Sequence, residues 1–318
     1  MSNKSLHRIV SFIAAGMVLS GAWSCTEKGP AGQDKDGMVE ISFSAEVDGV
    51  ELDVKPFETK AGEGEKTYYF IKIDDISSRT DRYQADGLFD SFGDHVKVQL
   101  PTGRDYKFSM LVIRETEFGH LVPYSDGRFG APFAGRVLVD LTNQFRVHNS
   151  TAVTHSALCE DDNHSGYNSF VYRYVGYKTV ENLQNGGKIS IPLKNYFFAV
   201  NMTVMPPLDG SLEISIADFG LNATLAAGDA PLSLSRIVNS RQEATEDAAD
   251  EYSEEHEVEI KWNRDPVLTS YDVKKTISFT KGMQHNISVN LNDRAGSTGF
   301  DPQLVQGSSL PETSFVID

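Results

Sequence analysis

Met38-Val-Glu-Ile-Ser-Phe-Ser-Ala-Glu-Val47 alternates apolar Val39, Ile41, Phe43, Ala45 and Val47 with polar Glu40, Ser42, Ser44 and Glu46. Successive side chains of an extended strand point to opposite faces, so a period of two buries one row and leaves the other in water. The same signature recurs outward from this stretch. Tyr106, Phe108, Met110 and Val112 form another apolar row. Thr67–Ile73, His95–Leu100, Val137–Leu141, Lys188–Leu193, Phe197–Val204, Leu212–Ile216, Glu257–Trp262, Thr276–Phe279 and Asn286–Leu291 read as further strands. Between them lie Pro101-Thr-Gly103, Asn185-Gly-Gly187, Pro206-Pro-Leu-Asp-Gly210 and Lys281-Gly282, which supply turn residues. No comparable segment holds a helical period. Many short strands without crossover helices predict an all-β chain built of antiparallel sandwiches. Asn185-Gly-Gly187 precedes a fresh series of strands, predicting one β-sandwich domain over 38–186 and a second over 187–318. One continuous large sandwich is the alternative.

The 318 residues are 40% hydrophobic and 23% charged, a globular composition. Asp and Glu number 45 against 29 Lys and Arg, giving a formal charge of −16. Loss of a leader that carries Lys4 and Arg8 and no acidic residue takes the mature chain to −18. Such a surface repels phosphate backbones, so nucleic acid is not an expected partner. Two cysteines, Cys25 and Cys159, cannot build a disulfide framework.

Residues 1–24 carry the parts of a secretory signal: Lys4, His7 and Arg8, the apolar run Ile9–Leu19 interrupted by Ser11 and Gly16, then small residues. Ala22-Trp-Ser24 before Cys25 resembles a bacterial lipobox, in which the cysteine becomes the new N-terminus and its thiol takes a diacylglyceryl group. Cys25 is therefore the expected lipidation site, anchoring the chain in outer-membrane lipid. Residues 25–37 are rich in Gly and charge and suit a flexible tether. Three readings compete: ordinary signal-peptidase cleavage after Ser24, an uncleaved inner-membrane anchor near the lower edge of the ~17–25 residues that span a bilayer, and a buried structural Cys25.

No H-E-x-x-H, G-x-S-x-G, G-x-G-x-x-G or P-loop spacing occurs, so the common zinc, nucleophile and nucleotide machineries lack sequence support. The densest constellation is His155, Cys159, Glu160, Asp161, Asp162 and His164. Zinc would need two further ligands that no paired C-x-x-C or H-x-x-x-H supplies. The adjacent carboxylates oppose thiolate formation at Cys159. A polar surface loop is the expected reading, with a calcium-dependent or hydrolytic enzyme as the weaker rival. Residues 243–259 hold nine acidic side chains and one strongly apolar residue, Val258, so the stretch before Ile260 is expected to be a solvated loop rather than a calcium site.

Leu310-Pro-Glu-Thr-Ser314 looks like a sortase signal but lacks its final glycine, apolar span and basic tail. Ser314–Asp318 reads instead as a short C-terminal strand after the Gly/Ser-rich stretch Asn292–Ser309. Tyr68, Tyr69, Tyr167, Tyr172, Tyr174 and Tyr177 could stack on sugars, although alternating tyrosines more often pack across strands.

Several segments together resemble the fimbrillin-like lipoproteins of Bacteroidetes. They are the lipobox-like Cys25, the strand Val39–Val47, Glu58-Thr-Lys-Ala61, Tyr83-Gln-Ala-Asp-Gly-Leu-Phe-Asp90, Gly103-Arg-Asp-Tyr-Lys-Phe108 and Ile189-Ser-Ile-Pro-Leu-Lys-Asn-Tyr-Phe-Phe-Ala-Val200. The resemblance implies two Greek-key, transthyretin-like β-sandwiches, export as a lipoprotein and display at the cell surface. In true pilins it implies polymerisation by donor-strand exchange after a cut behind a basic residue, here between Lys60 and Ala61. The expectation is a non-enzymatic, lipid-anchored surface protein acting in fimbria assembly or adhesion, with no cofactor and with other fimbrial subunits as partners. A glycan-binding lipoprotein of a polysaccharide-uptake system is the alternative. For strand exchange, Val39–Val47 is the candidate plug and Ser314–Asp318 the candidate donor, against the plainer reading that both are ordinary edge strands.

Overall fold

The computed structural model describes residues 37–47, 50–51, 66–77, 82–116, 128–129, 133, 139–149, 170–264, 270–290 and 303–305. The first half contributes β1 (Met38–Val47), β2 (Val50–Glu51), β3 (Thr67–Asp75), β4 (Tyr83–Phe89), β5 (Lys97–Pro101), β6 (Tyr106–Arg114), β7 (Arg128–Phe129), β8 (Val139–Asp140), β9 (Arg146–Asn149), β10 (Tyr172–Val180) and β11 (Gly187–Asn195). The second half contributes β12 (Phe197–Val204), β13 (Ser211–Ile216), β14 (Leu221–Ala226), β15 (Leu232–Asn239), β16 (Ser253–Asn263), β17 (Tyr271–Thr280), β18 (Gln284–Val289) and β19 (Gln303–Val305). A 3-10 turn, Ala217–Phe219, interrupts the run of strands and ends on Gly220 in the left-handed region. The chain is an all-β sandwich protein.

A nine-stranded sheet runs β2-β1-β11-β10-β6-β3-β4-β9, with β5 joined to β1 beside this path. Its middle strands are apolar on both faces. Tyr69, Ile71 and Ile73 of β3 enter one core with Ile41, Phe43, Phe108, Met110 and Ile191. Tyr68 and Phe70 of the same strand enter another with Leu111, Ile113, Phe133 and Val175. A strand covered on both sides has no polar row to display, which is why β3 and β6 are nearly continuous apolar runs while β1 and β5 alternate.

The second half forms two four-stranded sheets, β15-β12-β18-β19 and β14-β13-β16-β17. Between them lies a separate core that includes Phe198, Val200, Met202 and Val204 of β12, Leu212, Ile214 and Ile216 of β13, and Val258 and Ile260 of β16. Its alternating strands follow the period read from the sequence, as in the inward row of β13, and β14, which the sequence reading does not include, alternates as cleanly.

Two expectations are corrected. The sheets are mixed rather than antiparallel: β1 pairs in parallel with β11, and β12 with β18. The long route from β1 to β11 runs through sheet strands, so parallel neighbours arise without a crossover helix. The sheet also changes at Tyr196, not at Gly187. β11 satisfies its backbone on β1 and β10 of the first sheet, so the strand introduced by Asn185-Gly-Gly187 belongs to the first half. Gly176 of β10 marks how closely these strands approach, because a Cβ there would stand 2.1 Å from the Pro192 carbonyl oxygen. Residues 35–318 form one compact unit.

Candidate strand-exchange site

β1 is held on both edges. β1 lies parallel to β11 from Ile41↔Gly187 to Val47↔Leu193. Its other edge pairs antiparallel with β5 from Met38↔Pro101 to Ser42↔Lys97, and with β2 at Glu46↔Glu51 and Val47↔Val50. The expectation that β1 is an ordinary edge strand is therefore corrected: it is an insert between β5 and β11. Its inward row of Ile41, Phe43 and Ala45 is at most 5% exposed. The Phe43 ring centroid lies 5.8 Å from that of Phe108 and 5.6 Å from that of Phe145. On the solvent side Glu40 meets Lys97 at 3.3 Å and accepts from Gln99 Nε2 at 3.4 Å, contacts exposed enough to contribute little.

The wall formed by β5 has supports of its own. Tyr83 Oη donates to the Gln99 carbonyl at 2.7 Å and Tyr106 Oη to the Pro101 carbonyl at 3.0 Å. Burial pushes the Tyr83 phenol up to about 12, so it remains a donor at any physiological pH. Among the described strands β5 pairs with β1 alone, and these two tyrosines attach it to β4 and β6. At the other end of the chain, β19 makes three pairs with β18, Asn286↔Val305, Ile287↔Leu304 and Ser288↔Gln303.

Other positions singled out in the sequence fall differently. Cys25, Lys60, Ala61, Tyr167, the His155–His164 cluster and Leu310–Asp318 lie outside the described residues. Tyr68, Tyr69 and Tyr174 are buried core residues. Tyr172 lies beneath the Arg114 guanidinium and Tyr177 beneath the Lys107 ammonium. Trp262 donates Nε1–H to the Asp209 carbonyl at 2.8 Å and carries Arg264 4.5 Å above its ring. Among the described residues these aromatics are packed in a core or lie beneath a cation.

The acidic stretch 243–259 is only partly the expected solvated loop. β16 begins at Ser253, and its inward row is Glu254, His256 and Val258. His256 Nδ1 meets Asp218 Oδ2 at 2.8 Å, Nε2 faces Glu254 Oε1 at 3.4 Å, and Glu254 Oε2 accepts the Arg241 amide at 2.9 Å. The imidazole packs against Phe219 with centroids 4.5 Å apart. Hydrogen bonding to His256, with the Arg241 charge, outweighs burial and holds the Asp218 carboxyl below its usual range. A second buried pair joins Arg104 Nη1 to Asp75 Oδ2 at 2.7 Å, with the Ser77 amide on Oδ1 at 3.0 Å. Neither polar cluster is legible in the sequence, because Asp218 lies far along the chain from His256, and Arg104 from Asp75.

No family model matches the chain, and no curated protein matches it. Solved structures similar over most of its length include the following three. A fimbrial assembly protein from Parabacteroides distasonis is 11% identical with a TM-score of 0.30, covering 85% of this chain and 95% of its own. The tip fimbrial protein Mfa3 from Porphyromonas gingivalis is 8% identical with a TM-score of 0.31, covering 84% and 98%. A protein from Bacteroides thetaiotaomicron named as a candidate for polysaccharide binding is 10% identical with a TM-score of 0.37, covering 87% and 99%. Likenesses this loose assign no activity to the chain.

Proposed function

We propose that this chain is a lipid-anchored surface protein that acts in fimbria assembly or adhesion, with β1 as an exchangeable strand. One observation carries the reading: the strand next to the tether is an insert whose two edges are both paired and whose apolar row enters the first core. Removing such a strand opens a groove with main-chain donors and acceptors on both walls and apolar pockets at alternate positions, which is the chemistry that a donor strand satisfies. A single cut between Lys60 and Ala61 would leave β1 held by non-covalent contacts alone. Ser314–Asp318, with apolar Phe315 and Ile317, is the proposed donor, and Cys25 the proposed attachment to outer-membrane lipid. Proposed partners are further fimbrial subunits.

The test is treatment of the purified chain with a trypsin-like protease, alongside a chain truncated before Leu310. Detergent-resistant ladders from the full chain and none from the truncated one are expected. Cleavage after Lys60 without ladders, or ladders that persist after truncation, would leave a non-polymerising surface lipoprotein as the better reading.

A further inference from the structure

The segment between β15 and β16 is strongly acidic, and most of its side chains face water, yet side chains from both halves of the molecule hold it down. From the first sheet, the Tyr177 hydroxyl donates to the Ala244 carbonyl, and Lys194 Nζ donates to the Ala248 carbonyl at 3.1 Å and meets Asp250 at 2.7 Å. Lys107 of β6 meets Glu246 at 2.9 Å. From the second half, Lys281 Nζ donates to Gln242 Oε1 at 2.6 Å and to the Ala249 carbonyl at 3.0 Å. Gln242 Nε2 donates to the same carbonyl at 3.0 Å. Ala244 is 4% exposed and belongs to the core on the outer face of the first sheet.

These contacts converge on the residue where the chain changes sheet. Tyr196 donates its amide to the Arg173 carbonyl of β10 at 2.8 Å and accepts the Ser240 amide at 3.0 Å. Lys281 Nζ stands 4.5 Å from the Tyr196 ring centroid, and Arg173 lies 5.8 Å from it. Of the cations that hold the segment, Lys281 is 8% exposed, whereas the Lys107 and Lys194 side chains are 33% and 41% exposed. Exposed pairs contribute little and are screened by salt, while a buried ammonium deprived of its acceptors, or acceptors deprived of it, costs much more. Burial, reinforced by the Lys194 charge and opposed by Asp250, pulls the Lys281 pKa below the usual lysine value.

We propose that residues 240–252 are a strap that fixes how the second sandwich sits on the first sheet, with Lys281 as its keystone. The strap ties three things into one unit: the outer core of the first sheet through Ala244, the joint at Tyr196 through Ser240, and the second half through Lys281. Loosening the keystone frees the joint before either core melts. This inference is independent of strand exchange, since no contact of β1 enters it.

The test uses the purified full chain, Lys281→Met and Gln242→Ala. Trypsin cleavage after Arg241, inside the strap, is timed well below the melting temperature of each variant, and amide exchange is followed by mass spectrometry at Tyr196 and Ser240. Both variants are expected to speed cleavage after Arg241 by about tenfold, equivalent to about 1.4 kcal/mol of local opening, and to speed exchange at both joint amides similarly. Core strands β3 and β13 should keep parental exchange. Arg241 cleavage within about twofold of the parent overturns the proposal. So does faster cleavage with unchanged exchange at Tyr196 and Ser240, which would make the segment a local loop, and so does acceleration at all sites together, which would mean global destabilisation.

Discussion

Replacing Phe43 by alanine tests the site through its largest buried side chain. Phe43 is 5% exposed and its ring packs against Phe108 and Phe145, so truncation removes a filled volume between β1, β6 and the chain leading into β9. Phe-to-Ala changes at such sites cost about 3–5 kcal/mol, of which the two ring pairs supply about 0.5–1.5 each. A domain of this kind has about 5–15 kcal/mol in total, so Phe43→Ala is expected to fold with a markedly lower urea midpoint and an unchanged slope. The same loss should appear a second time. Once the chain is cut after Lys60, β1 is a non-covalent ligand of the groove, and Phe43→Ala should weaken its retention by about two to three and a half orders of magnitude. Ser42→Ala, altering the outward row, should change neither quantity by more than about 0.5 kcal/mol. Urea unfolding of the uncut chain and dissociation of a fluorescent β1 fragment from the cut chain measure the two. A large stability loss with retention unchanged within about tenfold would refute the reasoning, because β1 would then not be the unit that leaves.

Four further outcomes are expected. Arg104→Met strands a buried Asp75 and should cost about 3–5 kcal/mol, with the double variant Asp75→Asn/Arg104→Met recovering most of it in urea titrations. Burial pushes the Asp75 carboxyl up, but hydrogen bonds from Ser77, Arg104 and the Tyr83 amide outweigh it and hold the pKa below the usual carboxylate range. Its stabilising contribution is thus present above the unfolded value and should disappear as pH falls through the folded one, an acid loss that Asp75→Asn abolishes. Gly176→Ala places a methyl 2.1 Å from the Pro192 carbonyl and should lower stability by about 1–3 kcal/mol, with faster amide exchange at the β10–β11 pairs. Cys25→Ser should abolish metabolic labelling with a palmitate analogue and membrane retention together; labelling that persists would remove the proposed anchor.

The parts of the fold legible in the sequence are those where one face meets water. β1 and β13 alternate because their outer rows meet water, and period and position agree, whereas β12 reads as a strand although its start is buried on both faces, and β14 alternates cleanly without being among the strands read from the sequence. β10 and β15, which are not among the strands read from the sequence, lack that signature: β10 is buried on both faces near its start, with Arg173 among the buried residues, and Ile237 of β15 leaves its own core for the first one. The parallel partnership of β1 with β11 has no local signature, since it joins strands far apart in the chain. The acidic stretch hid a strand because Glu254 and His256 occupy inward positions, and inward charge makes sense only once Asp218 and Arg241 are beside it. For the candidate site, the alternating row of Val39–Val47 was readable and its role as an insert was not, because edge and interior strands can share one pattern.

The most direct test of strand exchange is a photo-crosslinker placed at Gln99, an exposed β5 residue paired with Glu40 of β1. In the uncut chain it should capture β1. After cleavage at Lys60 and assembly, it should capture a peptide from 310–318 of another copy, with β1 released. Continued capture of β1 in assembled material, or assembly with no C-terminal peptide at Gln99, would contradict the account.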